Sequence, residues 1–338
     1  MNVRKKIVIF KNDRGGDLFI SLKFISSLRN EYQDITIFLS ELNFGFKFLF
    51  NLFKIKKINY NLSIIDKIKV IYFLYKSNTD YVYILSPKNF YFYLPLIFRK
   101  VKFYAVTING DKRNRPPLFL RKLLHNYVVI PRFKIKNKKP SRDLQLELLD
   151  NNITVDYKYQ NLSIPSIDSI QRKIIPNKFI YLQFKKKFFE DFGWGIVEFS
   201  LIIKLLSTKY ENVLFSSDIE INSYNEFFYN NFSIIDLNNN KVIKLNDNKI
   251  YFLNKINAKE LFIIINNADK CVSPHGLVTN ICYFLNKKSI NLFNYQSSNF
   301  DYHPVKISFS EWYANMNINF IFLKKDINKS LNRLKKYL

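Results

Sequence analysis

The sequence predicts an α/β protein built from two parallel-sheet domains. Three observations carry this reading. Short β-branched and aromatic runs alternate with stretches of helical periodicity along most of the 338 residues. The alternation stops near 159–178, where prolines and serines replace it, and then restarts. Of only seven glycines, Gly15, Gly16 and Gly276 lie where predicted strands turn into helices.

Taken in order, "KIVIF" (6–10) reads as a buried strand and "KNDRGGD" as the turn that ends it. Leu18, Leu22, Ile25 and Leu28 follow at helical spacing, and "DITIFLS" (34–40) is a second strand. Strand, turn, helix and strand within residues 6–40 make a βαβ unit and therefore a parallel pair. "YVYILS" (81–86) and "KFYAVTI" (102–108) read as further buried strands. The segment 44–57 interleaves aromatics with lysines, which fits core residues with snorkelling lysines or a peripheral contact with an anionic membrane. "SRDLQLELLDNN" (141–152) reads as a helix with a Ser N-cap and an Asn stop.

After the break, "FIYLQF" (179–184), "NVLFSS" (212–217), "KCVSP" (270–274) and "SINLF" (289–293) read as strands. Residues 196–209, 257–269 and 277–286 read as helices, and the Asn-rich stretch 236–249 as loop. The predicted organisation is an N-terminal domain over 1–160, a linker over 161–178, a C-terminal domain over 179–325 and a basic amphipathic helix over 326–338. Ligands of open α/β sheets bind outside the carboxyl ends of the strands.

Composition narrows the class. Hydrophobic residues make up 48% and aromatics 17%, which excludes a disordered chain. The net charge of +26 favours anionic partners: nucleic acid, anionic lipid or phosphorylated substrates. The skew to Lys, Asn, Ile, Phe and Tyr is also what an AT-rich genome produces, so part of the lysine excess is compositional. Two cysteines, Cys271 and Cys282, give neither a disulfide framework nor metal spacing, and a reducing intracellular setting is expected. No apolar run reaches the roughly 18 residues of a membrane span, nor does the N-terminus carry a signal-peptide core.

Five of the seven glycines fall at Gly15/Gly16, Gly193/Gly195 and Gly276. In "PHGLVTN" (274–280), His275 and Gly276 follow a strand and open a helix, an arrangement whose free N–H groups and dipole suit a diphosphate. Thr279 and Asn280 lie one turn on and are expected to face the ligand, while His275 on its own reads equally as a turn histidine. Asp17 stands where a helix N-cap belongs. The sequence contains no G-x-G-x-x-G, no P-loop and no G-x-S-x-G elbow, which removes the main support for dinucleotide oxidoreductases, P-loop kinases and α/β-hydrolases. Three scattered histidines speak against a histidine metal centre.

The stretch "IVIFKNDRGGDLFISLKFISSLRNEYQDITIFLS" resembles the opening of glycosyltransferase family 9, the ADP-heptose:lipopolysaccharide heptosyltransferases. "NAKELFIIINNADKCVSPHGLVTNICYFLNKKSINLF" resembles that family's second signature, at corresponding spacing. The family's D-T-G-P-M-H falls on His275 to Asn280, and "HGLVTN" is similar to the donor loop of glycosyltransferase family 61. The resemblance implies a GT-B fold: two Rossmann-like parallel-sheet domains facing a central cleft. It implies a metal-independent inverting glycosyltransferase with no cofactor beyond a nucleotide-diphosphate-sugar donor. Asp17 would match the catalytic base. Gly15, Gly16, His275, Gly276, Thr279 and Asn280 would surround the donor. A lysine among Lys185, Lys186 and Lys187 would bind phosphate, and Asp218 or Glu220 would hold the ribose, while Trp194 and Glu198 echo a further family motif. The acceptor would be lipopolysaccharide, another surface glycan or a lipid-linked oligosaccharide, reached from the cytoplasm or the inner membrane face. The rival readings are a basic nucleic-acid-binding protein and a non-catalytic GT-B scaffold.

Overall fold

In the computed structural model, which describes residues 5–109, 116–131, 141–169, 171–217, 222–245, 249–294 and 317–338, the chain divides into two units. The described residues up to Ile164 form one, and those from Pro165 form the other. The division falls inside the stretch that reads as a linker.

The first unit opens with β1 (Lys6–Lys11), α1 (Gly15–Glu31) and β2 (Asp34–Ser40). A 3-10 helix over Phe44–Phe50 leads into β3 (Lys54–Ile58) and α2 (Ile64–Ser77). Then come β4 (Tyr81–Ile84), α3 (Asn89–Ile97), β5 (Lys102–Asn109), the short α4 (Leu118–Arg121) and β6 (Asn126–Pro131). The six strands are all parallel, in the order β3-β2-β1-β4-β5-β6. Strands β1, β2 and β4 are buried on both faces, which is why their sequences are continuous apolar runs.

The second unit begins with the short α5 (Gln171–Ile174) and then β7 (Ile180–Phe184). It continues through α6 (Lys186–Glu190), α7 (Ile196–Ser207), β8 (Val213–Ser217), α8 (Asn222–Asn231), β9 (Ser233–Asp236), β10 (Lys241–Lys244) and β11 (Ile250–Leu253). It closes with α9 (Ala258–Asn267), β12 (Lys270–Pro274), α10 (Leu277–Phe284), β13 (Ser289–Asn294), β14 (Ile318–Leu323) and α11 (Ile327–Lys335). Its eight-stranded sheet runs β10-β9-β11-β8-β7-β12-β13-β14, parallel except for the β9–β10 hairpin. Aromatic side chains fill its core: Phe184, Phe189, Phe199, Phe215, Phe228 and Phe252 lie in one buried cluster. Fully burying each such ring stabilises the unit by about 1.5–3 kcal/mol relative to exposure.

Three elements differ from the sequence reading. Residues 141–148 form a 3-10 helix rather than an α-helix. Leu144 and Leu148 are buried, and the Gln145 amide donates to the Ile20 carbonyl at 2.6 Å, so anchorage on α1 sets the tighter winding. The Asn-rich 236–249 stretch contains β10, a mostly exposed edge strand with little apolar signal. The C-terminal helix α11 is part of the second unit: Leu334 is buried in its core and Arg333 donates to the Phe322 carbonyl at 2.7 Å.

The topology fixes where chemistry can sit. In each sheet the chain starts in the interior and later returns to build the other side. The switch lies between β1 and β4 in the first sheet and between β7 and β12 in the second. Beyond the carboxyl ends of such strand pairs the connecting loops diverge and leave a crevice.

Candidate active site

In the first unit the loop Asn12-Asp13-Arg14 leaves β1 at the switch point. Three side chains staple it. The Ser40 hydroxyl donates to the Asp13 carbonyl at 2.6 Å, the Asn43 amide to the Lys11 carbonyl at 2.8 Å, and the Tyr91 hydroxyl to Asn12 Oδ1 at 2.9 Å. Lys11, 4% exposed, forms an ion pair with Asp13 at 2.6 Å.

Helix α1 begins earlier than expected. Its N-cap is Arg14, which makes no side-chain cap bond, and Asp17 is the third helical residue rather than the cap. Gly15 and Gly16 are helical too, and neither takes a positive φ. Their role is therefore not a left-handed turn; they leave the first turn without side chains beside Asp17.

Asp17 is solvent-accessible and lines a cavity of about 240 Å³ in this unit. Lys11, Asp13, Ser86, Lys88 and Gln145 share the wall. The protein mass around the cavity raises the Asp17 carboxyl above the usual range, and the Asp13 charge raises it further, against the lowering pull of Lys11 and Arg14. Burial lowers the Lys88 amine, which donates to the Tyr60 carbonyl and lies 4.0 Å from the Tyr60 ring centroid. Asn12 Nδ2, Asp13 Oδ1 and Ser86 Oγ, around the same loop ends, are buried without partners among the described residues. The sequence reading singled out none of Lys11, Asp13, Ser86 and Lys88. Ser86 and Lys88 follow β4 and reach Asp17 only because β4 pairs with β1, while Lys11 and Asp13, within six residues of Asp17, read in sequence as part of the turn.

In the second unit, β7 and β12 pair with Leu182 opposite Val272. Carried three residues further, that register sets Lys185 opposite His275. The Lys185 amine donates to the His275 carbonyl at 3.4 Å, and a Cβ on Gly276 would lie 2.8 Å from that amine. Gly276 has φ +148°, in the region that favours glycine, and is the N-cap of α10 with no side-chain cap bond. The first-turn N–H groups of α10 therefore open beside a cation. Gly276→Ala is expected to lower stability by about 1–3 kcal/mol through its backbone conformation. The check is the Tm, and an unchanged value would show that the turn relaxes freely.

The structure separates the three lysines that spacing alone left open. Lys185 sits against the Gly276 turn. Lys186 pairs with Glu190 at 3.3 Å and lies 5.9 Å from the Tyr224 ring centroid. Lys187 is exposed on α6. His275 stacks on Phe293, with ring centroids 5.2 Å apart, and its backbone N–H donates to the Leu292 carbonyl at 3.2 Å. Burial, reinforced by the Lys185 charge, pushes its imidazole down to about 3, so it is neutral at physiological pH.

Thr279 and Asn280 differ from expectation. Both are buried, and the Thr279 hydroxyl bonds to Asn291 of β13, because this face of α10 packs on the sheet. Trp194 is buried and donates to the Lys325 carbonyl at 2.9 Å, while Glu198 accepts the Gly195 N–H at 2.7 Å in the capping box of α7. Both are thus occupied structurally. Asp218 and Glu220 lie outside the described residues.

No protein-family model matches the sequence. No curated protein matches it either. Solved structures do. A glycosyl transferase of family 9 from Veillonella parvula matches with a TM-score of 0.65 at 12% identity, covering 100% of this chain and 93% of that one. A heptosyltransferase from E. coli, solved with ADP, gives 0.62 at 11% identity over 98% of both chains. A UDP-GlcNAc 2-epimerase from Methanocaldococcus jannaschii gives 0.55 at 12% identity, over 99% of this chain and 93% of that one. At these identities the likeness is one of fold, and the chain has the GT-B fold found in family 9 glycosyltransferases.

Proposed function

We propose that the chain is an inverting glycosyltransferase that moves a sugar from a nucleotide-diphosphate donor to a surface-glycan or lipid-linked acceptor. One observation carries the reading: each unit places a chemically complementary group at its switch point. The first holds an accessible carboxylate in a cavity, and the second holds a lysine against an uncapped helix N-terminus. The likeness in fold to a family 9 glycosyltransferase and to a heptosyltransferase with ADP supports it.

In this reading Asp17 accepts the proton of the acceptor hydroxyl as its oxygen bonds to the anomeric carbon. The bond from that carbon to the diphosphate breaks, and the electron pair leaves with the phosphate. Attack opposite the leaving group inverts the centre. Lys185 and the N–H groups of α10 take up the negative charge that develops on the diphosphate, with neutral His275 beside them. Gly15 and Gly16 give the reacting sugar room next to Asp17. No metal or cofactor is assigned a step. We place the reaction on the cytoplasmic side, where nucleotide sugars are available. Among the described residues no helix is long and apolar enough to cross a membrane.

The test is a screen of ADP-, UDP-, GDP- and dTDP-sugars with lipopolysaccharide and lipid-linked acceptors, read by mass spectrometry. Transfer from one donor with a new inverted linkage is the expected result. Binding and turnover of none would overturn the reading, and isomerisation of the donor sugar without any acceptor would assign an epimerase instead. The nucleic-acid reading gains nothing from the fold. Binding to a duplex or single strand with a steep salt slope would revive it.

A further inference from the structure

Helix α2 carries an outward apolar face that the first unit does not cover. Ile64, Ile65, Ile68, Tyr72 and Tyr75 are between 60% and 75% exposed. At 100° per residue these five fall within about one 100° stripe, some 17 Å long at 1.5 Å rise per residue. The opposite side, Asp66, Val70 and Leu74, is buried. The helix is fixed in place by a Ser63–Asp66 capping box, so the exposed stripe belongs to a well-anchored element.

A groove runs beside the stripe, between α2 and the edge strand β3. It encloses about 430 Å³, and its wall includes Lys56, Lys57, Lys69 and Lys76 together with Tyr72 and Phe73. No carboxylate lines it. Three of the four lysines lie over aromatic rings, Lys56 Nζ 4.8 Å from the Phe73 centroid, Lys57 Nζ 5.5 Å from that of Phe44 and Lys76 Nζ 5.9 Å from that of Tyr72. Apolar residues on one helical face with basic residues along its border are the signature of a helix that lies in a membrane interface. Each cation held near an anionic surface adds to the attraction.

We propose that this face of the first unit docks on an anionic lipid bilayer, with the α2 stripe set among the acyl chains and the groove lysines against headgroup phosphates. Charge selects this occupant over a second copy of the chain, because two copies meeting here would bring the lysines of both grooves together. The proposal does not rest on the glycosyl-transfer reading; it supplies a reason for 44–57, where the lysines of β3 line a surface rather than being scattered.

The experiment is co-sedimentation of the full chain with vesicles of phosphatidylcholine alone and of equimolar phosphatidylcholine and phosphatidylglycerol. The expected result is binding to the anionic vesicles that weakens as salt is raised. The variant Ile64→Ser/Ile68→Ser/Tyr75→Ser should lose about tenfold or more in partitioning. The variant Lys56→Gln/Lys57→Gln/Lys69→Gln/Lys76→Gln should lose the preference for anionic vesicles. All these side chains are exposed, and unchanged circular dichroism and Tm confirm that the variants are folded. Equal partitioning to both vesicle types, no binding by the wild type, or a dimer in solution that the stripe variant abolishes would each overturn the proposal.

Discussion

Asp17→Asn is expected to lower kcat for sugar transfer by about 10²–10⁴-fold, the usual contribution of a positioned general base. The substitution keeps the shape and removes the proton acceptor. Asp17 makes no side-chain hydrogen bond with another described residue, so the fold and Tm should change little. Donor affinity should also hold, because the diphosphate is assigned to the Lys185 turn. The pH profile carries the sharper test. The base works only when ionised, and the protein mass around the cavity together with the Asp13 charge raises its carboxyl. Activity should therefore fall on the acid side at a higher pH than for an ordinary carboxylate. Asp13→Asn removes a neighbouring negative charge and should move that acid limb to lower pH. Full transfer by Asp17→Asn would remove the base assignment while leaving the fold untouched.

The parts of the fold that were legible are those buried on both sides. β1, β2, β4, β7 and β12 are interior parallel strands, and burial leaves them as unbroken apolar runs. The edge strands β3 ("KIKKI") and β10 ("KVIK") gave no such signal, since most of their side chains face solvent. Helix α2 was hidden for the opposite reason: its outward face is as apolar as its inward one, which erases the amphipathic contrast that marks a helix.

The candidate site was legible in type but not in arrangement. The glycine turns flagged both switch points, yet boundary resolution set Asp17 as a cap when it is the third residue of α1. Thr279 looked available because nothing local says which side of α10 packs down, and that is decided by Asn291 of β13. The choice of Lys185 needs the β7–β12 register, which joins residues 90 apart in sequence.

Lys185→Ala is the second large effect expected. A single donor aimed at charge that develops in the transition state contributes about 10²–10³ in kcat. A hydrogen bond to a charged group is worth about 1.5–3 kcal/mol, so affinity for the matching nucleoside diphosphate should fall by roughly 10–100-fold. Calorimetry with a panel of nucleoside diphosphates measures this directly. Lys187→Ala is the internal control, because that side chain is exposed on α6 and should bind like wild type. The converse pattern, with Lys187 needed and Lys185 dispensable, would move the phosphate site. A double-mutant cycle makes the argument geometric. A Cβ on Gly276 would meet Lys185 Nζ at 2.8 Å, so Gly276→Ala displaces the amine as well as straining the backbone. Once Lys185 is already Ala, that first consequence vanishes. The loss of diphosphate affinity on Gly276→Ala should then be smaller than in the wild type, a coupling of the size seen for residues in contact. Additive losses would mean that the glycine is required for its backbone conformation alone, and that the lysine reaches the diphosphate from another direction.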